Sequence, residues 1–131
     1  MEGSWSPEEL ERCHINELEL AASTFGLVAL AKEAGFSDVY SWTDNTSAMA
    51  WMRGSSTPTT VAAQCMCSAR VEWMLGNCVS ESAERITSEA NLWADQGSRG
   101  DIQLVVQQAR AFGLHTRRVN IPEGWRDLLL Q

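Results

Sequence analysis

Only two stretches of this sequence read as strands, and that limits the possible fold more than any other feature. Asp38 to Thr43, carrying Val39, Tyr40 and Trp42, is rich in strand formers; residues 79 to 86, with Val79 and Ile86 separated by polar residues, make a weaker strand. Two strands do not form a stable sheet unaided. The sheet is therefore completed by something outside the chain, or the fold is mainly helical.

Helical pattern fills most of the rest. Residues 7 to 33 read as one helix, with Ser6 as cap, Pro7 in its first turn and Glu8, Glu9 and Glu11 at its positive end, closed by Gly35. Ile15, Leu18, Ala22, Phe25 and Ala29 recur at helical spacing, and Leu20 and Leu27 widen the stripe, so much of this helix is expected to be buried. A short helix is expected from Thr46 to Met52, closed by Arg53 and Gly54. A longer helix follows the Ser55-Ser56-Thr57-Pro58 turn, with Val61, Cys65, Ala69 and Trp73 as its apolar face and Gly76-Asn77 as its stop. Helical pattern returns over Glu89 to Ser98, resumes from Asp101 as cap to Gly113, and ends in a short helical tail around Trp125, Leu128 and Leu129.

With 131 residues, 44% of them apolar, the chain fits one small globular domain. Its most apolar run, Leu18 to Ala31, is broken by Glu19, Ser23 and Thr24 and falls short of the ~20 residues of a membrane span. The acidic start Met1-Glu2-Gly3-Ser4 lacks the order of a secretory signal, so an intracellular place, cytoplasmic or nuclear, and four free thiols at Cys13, Cys65, Cys67 and Cys78 are expected. Seventeen acids against ten bases, net −7, argue against nucleic-acid binding through a broad basic surface. Any such partner is held locally.

Three acids stand out by position. Glu19 falls inside the apolar stripe of the first helix, whereas Glu17 is expected to point to solvent. A carboxylate facing a core needs a proton, a partner or a metal. Asp44 ends the first strand just before a helix, the edge where open α/β sheets gather ligands, and Asp95 shares a helix face with Asn91 four residues earlier. Each also has an ordinary reading: Asp44 as a helix cap, Glu19 as the partner of an arginine, Asp95 as a solvated surface acid. Together they are the hard oxygen ligands that a magnesium site needs.

Other constellations are weaker. Cys65 and Cys67 stand two apart on a helix and face different ways, and no histidine completes a zinc set with Cys78. His14 and His115 are the only histidines, and neither has a serine or cysteine nucleophile motif beside it. The tryptophans read mainly as core and helix-face residues, with Trp51 as one that would stack on a nucleotide.

Three blocks in order, His14-Ile15-Asn16-Glu17-Leu18-Glu19-Leu20, Thr43-Asp44-Asn45 and Asn91-Leu92-Trp93-Ala94-Asp95-Gln96-Gly97-Ser98-Arg99, resemble successive active-site blocks of ribonuclease H. The nearest likeness is the ribonuclease H domain that follows reverse transcriptase in retroelements, including the tyrosine-recombinase DIRS and Ngaro type, and it covers about residues 14 to 100. The resemblance implies an α/β ribonuclease H-like fold, here helix-rich and truncated, with two of the family's five central strands in the chain. Residues 101 to 131 would then be a carboxyl-terminal helical extension of a single partial domain spanning 1 to 131.

By the same resemblance Glu19, Asp44 and Asp95 match the catalytic carboxylates that hold two magnesium ions, with manganese as an alternative, astride the scissile phosphate of RNA in an RNA/DNA hybrid. Asn45, Asn91 and Arg99 would contact the nucleic-acid backbone or orient the acids. Three features depart from the family. No counterpart of the first strand's catalytic aspartate precedes the His14 block, Ser80 to Ala90 holds no histidine, and Arg85-Ile86-Thr87-Ser88 stands where retroelement members often read His-Ile-Pro-Gly. The expectation is a domain that cleaves hybrid weakly or not at all alone, its sheet completed by the rest of a reverse transcriptase polyprotein or by a partner chain. The alternative is a non-catalytic helical interaction module.

Overall fold

The structure, a computed structural model, describes residues 4 to 35 and 37 to 131. The start Met1-Glu2-Gly3, read above against a secretory signal, lies outside the described residues. The first long helix expected over 7 to 33 is two helices, α1 (Pro7–Arg12) and α2 (Ile15–Ala34). Ser6 caps α1 in a capping box with Glu9, as its sequence suggests. The break has a local cause. His14 is extended, its Nδ1 accepts the Asn16 N–H at 3.1 Å, and Glu17 returns a bond to the His14 N–H, so an imidazole opens a second capping box. That role draws Glu17 into the fold, where it is 6% exposed rather than facing solvent, while Ile15 turns outward at 57% exposure.

α2 is the central element. Leu18, Leu20, Ala21, Phe25, Leu27, Val28 and Ala29 are buried around most of its girth, and Gly35 ends it in the left-handed region at φ 68°. Strand β1 (Asp38–Thr43) follows, then α3 (Thr46–Arg53), α4 (Val61–Asn77) and strand β2 (Ser80–Arg85). The strands run parallel with Asp38 opposite Ser80 and Thr43 opposite Arg85, and α3 and α4 form the crossover that parallel pairing requires. Among the described residues the sheet has these two strands alone. The fold is α/β and helix-rich.

The buried face of α4 is rotated from the expected one. Ala62, Ala63, Met66 and Arg70 are buried, whereas Val61 is 61% exposed and Cys65, Ala69 and Trp73 are half-buried. Arg70 explains the rotation. Its guanidinium pairs with Glu81 of β2 and donates to Thr24 Oγ1 of α2 at 2.8 Å, while Ser41 of β1 donates to the other Glu81 oxygen at 2.6 Å. One buried ion pair thus links α2, α4 and both strands, and α4 turns its arginine inward to make it. Gly76 and Asn77 stay helical and the cap is Cys78, at φ 53°.

The remaining elements are α5 (Leu92–Ser98), three residues shorter at its start than expected, α6 (Ile102–Ala111) and a 3-10 helix (Arg126–Leu130). Leu129 of the 3-10 helix enters the core formed by Leu18, Leu20, Phe25, Ala48, Ala63 and Met66, and Ile121, Trp125 and Leu128 pack against it. Arg126 fastens this end to α1: its Nε and Nη2 donate to the two Glu9 oxygens at 2.9 and 2.5 Å, and the guanidinium lies 5.8 Å from the Trp5 ring centroid. No helix among the described residues is long and apolar enough to cross a membrane.

Candidate acidic site

Asp44 is the first residue after β1, and it does not cap the helix that follows. Asn45 does: its Oδ1 accepts the Ala48 N–H at 2.8 Å, and its Nδ2 donates to Asn16 Oδ1 of α2 at 2.9 Å. Capping by Asn45 leaves Asp44 available, with one hydrogen bond from Ser88 Oγ at 3.2 Å. The Asn45–Asn16 bond ties the end of β1 to the first turn of α2, one turn before Glu19.

Glu19 is half-buried on the side of α2 that faces β1. Its carboxyl is held above the ordinary carboxylate range, first by burial and second by the negative charge of Asp44. Residues 25 apart in sequence therefore lie near enough, at the carboxyl end of β1, for the charge of one to act on the other. Such a pair favours a proton on one partner or a cation between them.

Glu19, but not Asp44, lines a groove of about 540 Å³. One wall is the α2 face of Glu19, Ala22, Ser23, Gly26 and Leu30, the other is β1 along its whole length, and Asn91 and Ala94 close the end by α5. Asn91 begins α5 without a side-chain cap bond, so its amide remains available to the groove. Asp95 is engaged elsewhere, its Oδ2 lying 3.1 Å from Arg99 Nη2 one turn on. Arg99 is 73% exposed, so this ion pair contributes little to stability. Among the described residues no three acids, histidines or cysteines are grouped to hold a metal ion. The structure thus places Glu19 within the influence of the Asp44 charge, sets Asn91 and Glu19 on the same groove, and places Asn45 in a structural cap.

As donors, Glu19 and Asp44 suit one hard divalent ion, because magnesium is commonly held by one or two carboxylates with waters and phosphate completing its shell. The thiols offer nothing comparable. All four are free, and burial raises Cys13 and Cys67 above the ordinary thiol range, which makes them poor nucleophiles. Trp51 packs against the core.

Two charged contacts fall outside what the sequence analysis identified. Arg70 with Glu81, and Glu9 with Arg126, join residues 11 and 117 positions apart, and each looks like surface charge in the sequence. The one available signal was Arg70 lying four residues after Met66, on the same helix face. Comparison of the chain with protein-family models, curated proteins and solved structures finds no match in any of the three.

Proposed function

We propose that this chain is a ribonuclease H-like domain of the reverse transcriptase type, built for metal-dependent cleavage of the RNA strand in RNA/DNA hybrids, and that it cleaves little by itself. The observation that carries this reading is Glu19 lying within the influence of the Asp44 charge, just past the carboxyl end of a strand paired in parallel with its neighbour. An acidic pair there supports phosphodiester chemistry, in which a divalent ion acidifies the attacking water and stabilises the leaving oxygen. Glu19 and Asp44 would hold the ion, and Asn91 would offer its amide to the backbone of a bound strand. The chain's net charge of −7 is compatible with this, since the ion carries the phosphate contact and hybrid recognition relies on groove shape and 2′-hydroxyls.

Weak cleavage follows from the ligand count. Two carboxylates suit one ion, whereas two-metal hydrolysis needs ions roughly 4 Å apart with ligands shared between them. Isothermal titration with magnesium and manganese, run beside a labelled-hybrid cleavage assay, tests both halves. The expected result is measurable ion binding that falls about tenfold or more in Asp44→Asn, as for loss of one charged ligand, with trace cleavage. Efficient cleavage abolished by Asp44→Asn would overturn the weak-activity half; ion binding that is absent, or indifferent to Asp44→Asn, would sink the metal site.

The second reading, a non-catalytic interaction module, is favoured by one observation: Tyr40 and Trp42 of β1 are 73% and 59% exposed. Two large aromatics on a short strand suit a protein contact as well as a core. An obligate dimer indifferent to magnesium would support it.

A further inference from the structure

The inward turn of Arg70 has a second effect on α4. With Ala62, Ala63, Met66 and Arg70 facing the core, Val61, Val71 and Leu75 are carried to the outside, Leu75 to 77% exposure. Together with Gln64, Cys65, Ser68 and Glu72 they recur at spacings of three and four and form one stripe down the outer face of the helix. Glu72 is its single charge, on a chain of net −7. Beside the stripe, the end of α3 and the turn before α4 leave an open hollow of about 600 Å³, lined in part by Trp51, Pro58, Val71 and Leu75.

We propose that α4 pairs with α4 of a second copy of this chain, antiparallel, about a two-fold axis at Ser68. Turning the stripe end over end about Ser68 lays Val61 on Leu75, Cys65 on Val71 and Gln64 on Glu72, each contact occurring twice. Ser68 at the axis is small enough for the two helices to approach closely. Gln64 gives one amide hydrogen to the Pro58 carbonyl at 3.0 Å and keeps the other for the Glu72 carboxylate across the axis. The partner's Val61, arriving beside Leu75, fills the hollow. Charge selects this occupant and this face: two chains of −7 repel over most of their surfaces, whereas here the one acid on each stripe faces an amide. The pairing uses no residue of the acidic pair or the groove and leaves Tyr40 and Trp42 exposed, so it stands or falls apart from both functional readings.

Sedimentation velocity on the whole chain, in reductant and at micromolar to submillimolar concentrations, is expected to show a reversible monomer–dimer equilibrium. Leu75→Glu, at an exposed position, puts a carboxylate into both apolar ends of the contact and is expected to weaken the dimer about a hundredfold while leaving the circular dichroism spectrum unchanged. Gln64→Lys faces Glu72 only in the antiparallel pair and is expected to tighten it about tenfold. The register is read by oxidation in a Cys78→Ser background: Ser68→Cys, on the axis, is expected to cross-link, and Gln107→Cys, exposed on α6, is not. A monomer at every concentration, a dimer indifferent to Leu75→Glu, a dimer loosened by Gln64→Lys, or a Ser68→Cys chain that cross-links no faster than Gln107→Cys would overturn the proposal. A dimer lost in Trp42→Ser and kept in Leu75→Glu would overturn it in favour of a contact through β1.

Discussion

α2 and the α5–α6 pair are both helical, yet they are held in opposite ways. α2 buries leucine, phenylalanine, valine and alanine on most of its surface and is bonded to β1's end through Asn16, to the carboxyl end through the core at Leu129, and to α4 through Thr24 and Arg70. Of the α5 and α6 side chains only Ala109 is buried; the two helices pack mainly on each other, with the Trp93 and Phe112 rings 5.9 Å apart and Phe112 76% exposed. The consequence for the site is direct. Glu19 and Asp44 ride on the packed body, so their approach is fixed by the core, whereas Asp95 rides on the pair that the core barely touches.

The largest test of that contrast is Arg70→Met. Removing one partner of a buried ion pair leaves Glu81 charged and unpaired, and a loss of about 3–5 kcal/mol is expected in urea unfolding. If Glu81→Met added to Arg70→Met restored most of the loss, the penalty would lie in the orphaned charge; if it did not, the network's bonds to Thr24 and Ser41 carry the stability.

Two phenylalanines compare the regions at equal chemistry. Phe25→Ala in the body is expected to lose about 3–5 kcal/mol, as for a fully buried ring, whereas Phe112→Ala removes one exposed ring pair, worth about 0.5–1.5 kcal/mol. Equal losses in denaturant unfolding would show that α5 and α6 are as integral as α2, and the contrast would fall.

The smallest expected effect is on pH dependence, and it separates two acids of opposite sign. The Glu19 carboxyl is raised by burial and by Asp44, so the folded state binds its proton more tightly than the unfolded chain does. Glu19 therefore contributes stability that is present below the ordinary value of 4.5 and lost as pH rises through its raised one. Glu9 is the reverse: the Arg126 hydrogen bond lowers it, its contribution is present above 4.5, and it is lost as pH falls through the lowered value. Glu19→Gln should thus be more stable than the parent at neutral pH, with the gap closing in acid. A gap that widened in acid would reverse the assignment for Glu19.

Much of the local structure was legible in the residues. Ser6 and Glu9 frame α1, Gly35 and Gly54 end α2 and α3, and Asp38 to Thr43 forms the strand its composition suggests. Each of these signals acts within a turn or two of chain, through a cap, a left-handed glycine or a β-branched run. The His14 break was missed because an imidazole cap lacks the usual serine or threonine. The α4 face was missed because an arginine sits where an apolar residue was expected.

The sequence by itself determined that Glu19 lies among apolar neighbours and that Asp44 ends a strand, since periodicity and composition act locally. Only the tertiary structure decided that the Asp44 charge reaches Glu19, that Asn45 rather than Asp44 caps α3, and that β1 and β2 pair in parallel. Those outcomes depend on a crossover of α3 and α4 and on a buried Arg70–Glu81 pair, contacts between distant residues whose free energy no local pattern encodes.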